Sequence, residues 1–63
     1  MRSYEAGQLV KEKHGERWGE VVAVLDEGKR IEVHIKNGPK LEFNPVFKEY
    51  ELEHYSGKAK VHA

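Results

Sequence analysis

The chain has 63 residues, enough for one domain, and a domain of that size buries only about 60 % of the surface its unfolded form exposes. It holds no cysteine, so no disulfide or zinc–thiolate site staples that small core. Its 11 basic and 11 acidic residues cancel, which excludes a strongly basic nucleic-acid binder and leaves room only for a local basic face. No apolar run approaches the roughly 20 residues that span a bilayer. Arg2 is followed by polar residues rather than by the apolar stretch of a secretory signal. These features, with the lack of cysteine, lead to the expectation of a cytoplasmic domain with no membrane partner.

Residues 1–6 read as a peripheral arm, with Tyr4 lying against the core. Residues 8–13 read as a first strand, Val10 facing inward and Leu9 covering an edge. Residues 14–19 form a polar loop whose glycines supply left-handed backbone positions. Trp18 sits at the base of this loop, either as a cap on the core or as a stacking platform. The unbroken apolar run Val21 to Leu25 reads as a strand covered on both faces, central to the sheet, with Val22 and Val24 inward. Asp26-Glu27-Gly28 suits a type I turn with Gly28 left-handed.

The next strand alternates: Ile31, Val33 and Ile35 inward, Arg30, Glu32, His34 and Lys36 outward. Asn37-Gly38 is the sequence of a two-residue type I′ hairpin turn. Pro39 then opens a strand over 40–44, with Leu41 and Phe43 inward. Residues 44–49 read as a 3₁₀ turn that drops Val46 or Phe47 into the core. A last strand covers 50–54, with Tyr50 and Leu52 inward. Residues 56–63 form a second arm with room for a short strand over 59–62. Five short strands, a polar loop after the first and one 3₁₀ turn before the last predict an all-β fold, a small five-stranded SH3-like barrel spanning residues 1–63. An OB-fold, the main alternative, needs more residues and a helix between its third and fourth strands.

The four histidines, at 14, 34, 54 and 62, lack the close spacing of a metal site and read as surface residues. The serines, Ser3 and Ser56, stand near the chain ends, and no glycine-rich phosphate loop precedes a helix. No enzyme activity, catalytic residue, metal or cofactor is therefore expected. The charge pattern is more informative. Lys11, Lys13 and Arg17 cluster on the first strand and its loop, Arg30, Lys36 and Lys40 on the middle strands, and Glu49, Glu51 and Glu53 near the end. Cations that hold phosphates and aromatic rings that stack bases (Trp18, Tyr50 or Tyr55) are what a single strand of nucleic acid requires. The candidate nucleic-acid-binding residues are Lys11, Lys13, Arg17, Trp18, His34 and Lys36.

Two resemblances add to this reading. Tyr4-x-x-Gly7-Gln8-x-Val10, Gly19-Glu20-Val21-Val22-x-Val24-x-Asp26, Ile31-x-Val33, Asn37-Gly38, Leu41-x-Phe43-x-Pro45 and Tyr50-x-Leu52-x-x-Tyr55 together resemble the small SH3-like barrel inserted in the helicase region of conjugative relaxases. The resemblance implies contact with single-stranded DNA and a role in plasmid transfer, including service as a signal read by the secretion apparatus. It carries no motor activity, because no ATPase motif is present. Gly7-x-x-Val10-x-x-Lys13-x-Gly15-x-x-Trp18 and Pro45-Val46 are also similar to type II plasmid dihydrofolate reductase, a tetramer with one shared active pore. The Val-Gln-Ile-Tyr segment that lines its pore is replaced here by Leu41-Glu42-Phe43-Asn44, without the Gln and the Tyr.

The expectation is therefore an accessory binding domain that contacts single-stranded nucleic acid, flanked by other domains of a DNA-processing protein. A protein-interaction or oligomerisation module with a free sheet edge is the alternative, and a tetrameric reductase a lesser one.

Overall fold

The computed structural model describes residues 3–56. It is all-β: one five-stranded antiparallel sheet with no α-helix among the described residues. The strands are β1 (Leu9–Glu12), β2 (Trp18–Leu25), β3 (Arg30–Ile35), β4 (Val46–Lys48) and β5 (Leu52–His54). Their spatial order is β4-β3-β2-β1-β5, so β2 is central and β4 and β5 are the two ends. A 3₁₀ turn, Glu49–Glu51, links those ends, and Glu49 N–H donates to Lys29 C=O (2.9 Å) while Lys13 N–H donates to Glu51 C=O (3.0 Å). No ladder joins β4 directly to β5 among the described residues. No described helix is long and apolar enough to cross a membrane.

The core is Tyr4, Val10, Val21, Ile31, Val33, Phe47 and Leu52, with Val24 and Ile35 packed against it. Tyr4, predicted to lie on the core, is buried, and its hydroxyl donates to the Leu52 carbonyl (2.8 Å). Val10, Ile31, Val33 and Leu52 also face inward as predicted. The β-branched residues at these positions fit the pleated surface they cover.

The central strand differs in phase from the prediction. Val21 is buried and Val22 is 42 % exposed, the reverse of the expected pattern. The cause is a bulge: Val21 pairs with Val33 and Ala23 with Glu32, so Val22 has no partner in β3. The extra residue lets Val21 and Val24 reach the same core although they are three apart. The turn that follows is not type I, because Asp26 (φ 51°) and Glu27 (φ 55°) are both left-handed. Gly28 is left-handed as expected, with φ 97°.

The predicted strand over 40–44 does not form. Leu41 is exposed and Phe43 is 78 % exposed. Asn37 does not adopt the left-handed backbone that a type I′ turn needs. Its side chain is instead held at both ends, Oδ1 accepting from Trp18 N–H (2.8 Å) and Nδ2 donating to Glu16 C=O (2.9 Å). The chain therefore leaves β3 in a long loop and returns at Pro45, whose carbonyl accepts from Val33 N–H (3.0 Å). The strand that pairs with β3 is Val46–Lys48, and its Phe47 fills the core position expected of Leu41 or Phe43. The 3₁₀ turn accordingly falls at Glu49–Glu51 rather than over 44–49, which leaves Tyr50 68 % exposed instead of inward. The predicted strand over 59–62 and most of the second arm lie outside the described residues.

Candidate nucleic-acid interface

Alternation along the strands divides the six candidate residues between two places. Val10 points into the core, so its neighbour Lys11 points out. Trp18 and Glu20 flank Gly19, which is buried in the middle of the sheet. Gly19 has room for no side chain, because a Cβ there would run into the backbone carbonyl of His34. His34 lies between inward Val33 and Ile35, and Lys36 follows on the same outward parity. The register sets Lys11 opposite both Trp18 and Glu53, and Glu20 opposite both Leu9 and His34. Lys36 N–H donates to Trp18 C=O (2.9 Å) and carries that row across to β3. The outer face of the sheet thus gathers Lys11, Trp18, His34 and Lys36.

Trp18 is the first residue of β2, not a loop residue, and is half-buried. Its ring meets that of Tyr55, with centroids 4.8 Å apart and planes tilted by 36°. Tyr55 is held there by its N–H, which donates to Leu9 C=O (3.0 Å). Offset or tilted ring pairs at this distance are favourable and fix each other's orientation. Trp18 thus stands on the outer face and does not cap the core; one side of its ring is covered by Tyr55, and part of the residue remains accessible.

The cations on this face are engaged. Lys11 Nζ donates to the carbonyls of Glu12 (2.9 Å) and Gly15 (3.2 Å) and lies 3.7 Å from a Glu53 oxygen. Lys36 Nζ lies 3.6 Å from Glu20 Oε1. His34 Nδ1–H donates to Asn44 Oδ1 (3.2 Å), and Asn44 Nδ2 donates to Glu32 Oε2 (3.2 Å). Exposed pairs of this kind contribute between zero and about 1 kcal/mol, so a phosphate can displace the carboxylate at small cost.

Lys13 and Arg17 stand elsewhere. Both line a groove of about 870 Å³ between the loop after β1 and the segment around β4, together with His14, Pro45, Phe47 and Tyr50. Arg17 is bound to Glu12 Oε2 through Nε (2.9 Å) and Nη2 (2.5 Å), and its guanidinium lies 5.3 Å from the centroid of the Phe47 ring. The Lys13 side chain is exposed and forms no ion pair among the described residues. The groove escaped sequence reading because it depends on Tyr50, expected to face inward, turning out to solvent. Pro45-x-Phe47-x-x-Tyr50 is the signal that marks it.

Among the described residues no three of His, Asp and Glu converge to hold a metal ion. Among the described residues, the ionisation of Tyr4 is displaced from its ordinary range. Burial raises its hydroxyl above the ordinary value of 10.0, helped by the charges of Glu49 and Glu53. No family model, curated protein or solved structure matches this chain.

Proposed function

We propose that this chain is an accessory binding domain whose outer sheet face contacts single-stranded DNA, as the resemblance to the relaxase barrel suggests. The observation that carries the reading is the Trp18–Tyr55 ring pair set beside Lys11, Lys36 and His34 on one face. A base stacks on the accessible part of the ring pair, a contact worth about 1–3 kcal/mol. Lys11 and Lys36 hold the adjoining phosphates once they exchange Glu53 and Glu20 for them. Binding of this kind is weak and tolerant of sequence, since every base has a face to stack.

Trp18 is the one tryptophan of the chain and reports directly on the site. Titration with oligothymidylate at low salt is expected to quench its fluorescence. Glu20→Gln and Glu53→Gln, which free the two lysines, tighten binding, and Lys36→Glu weakens it. An unchanged Trp18 signal at high micromolar oligonucleotide would sink the proposal.

A further inference from the structure

We infer that the groove lined by Lys13, Arg17, Phe47 and Tyr50 docks an extended acidic peptide segment of a partner protein, at a site separate from the outer face. Four observations on its lining lead there. Part of its lining is apolar: Pro45, Val46 and Phe47, with Tyr50 largely exposed. Its anionic groups are already engaged. Glu12 Oε2 is held by Arg17, and Glu51 Oε1 accepts from Lys48 N–H (2.8 Å). Its cation is available, because Lys13 forms no ion pair among the described residues. An incoming carboxylate therefore meets a free ammonium in a lining that also holds His14 and apolar side chains.

The fourth observation selects a peptide over a nucleic-acid strand. Val33 N–H donates to Pro45 C=O and Glu49 N–H donates to Lys29 C=O. With Ile31 opposite Phe47, the alternation of an antiparallel ladder turns the N–H and C=O of Val46 away from β3. β4 is the end of the sheet, so these groups face an open edge from a residue whose side chain lines the groove. A donor and an acceptor on one residue fit the backbone of an extended peptide.

The test is an amide-shift titration of the isotopically labelled chain with three probes. These are blocked peptides alternating Asp with Leu or Pro, the same peptides with Lys for Asp, and oligothymidylate. The acidic peptides are expected to shift amides of residues 12–17 and 46–51 and to leave Glu20 and His34 unmoved. Tyr50→Ala weakens that binding about tenfold, and Lys13→Gln about threefold, the effect of one exposed charge. Both side chains are exposed, so both variants keep the fold. The inference is overturned by absent shifts at millimolar peptide, by equal binding of the lysine peptides, or by oligothymidylate moving the amides of residues 46–51, which lie apart from Lys11 and Trp18 in the sheet. Because the outer-face amides report on DNA separately, failure of either reading leaves the other legible.

Discussion

At Gly19 the sheet leaves no volume for a side chain, and at Tyr4 one hydroxyl ties the N-terminal segment to the last strand. A Cβ at position 19 would collide with backbone atoms of His34, which cannot swing aside as a flexible side chain would. Gly19→Ala is thus expected to cost about 3 kcal/mol or to unfold the domain, read from the midpoint of urea unfolding. Tyr4 donates its hydroxyl to Leu52 C=O in the core. Tyr4→Phe leaves that carbonyl without its partner and costs roughly 1 kcal/mol. The same hydroxyl makes stability depend on pH. Its folded pKa lies above 10.0, so the folded state keeps a proton that the unfolded state loses first. Its contribution is complete below the unfolded pKa and declines as pH rises above about 10. Urea midpoints compared at about pH 9 and about pH 11 are expected to fall more for the parent than for Tyr4→Phe.

Along β2, position 22 is a residue added to the pattern rather than part of it. Val22→Thr removes little packing and is expected to stay within about 0.5 kcal/mol of the parent. Val21→Ala, one residue away, opens the core and costs roughly 2–3 kcal/mol. Equal effects of the two in chemical denaturation would count against the bulge. The elements were unevenly legible in the sequence. Clean alternation made β3 readable almost to the residue, and the five-strand, all-β class followed from the turn residues. The apolar run of β2 hid its phase, because four of its five residues are valine or alanine and any offset looks equally good. Asn37-Gly38 misled for a different reason. Tertiary hydrogen bonds to Trp18 and Glu16 took the Asn side chain, and a local turn preference of about 1 kcal/mol does not outweigh two such bonds. Once that turn is lost, the strand over 40–44 goes with it and the pairing moves on to Val46–Lys48.

For the molecule as a whole, zero net charge proves to be a matter of pairing and not only of totals. Lys11, Arg17, Arg30 and Lys36 each stand beside a carboxylate. The six candidate residues were identifiable as cations and aromatics, but their division between a sheet face and a groove was not, since it depends on which strand each neighbour joins. The pairing sets the form of salt dependence expected for DNA. With two lysines engaged, each contributing about −0.7 on a single strand, the log–log slope is about −1.4, shallow beside that of basic binders. A steeper slope in the oligothymidylate titration would mean that the phosphates are held by residues other than Lys11 and Lys36.

The bulge at Val22 has one more consequence. A chain lacking that residue would keep Val21 opposite Val33, Ala23 opposite Glu32 and Val24 opposite Ile31, with every inward and outward assignment intact. What it would lose is curvature. The added residue lies just past the part of β2 that β1 pairs with, where the strand passes from two neighbours to one. Shape is therefore encoded here as an insertion, invisible to any count of apolar positions, and two chains of the same hydrophobic pattern can differ in how far they bend.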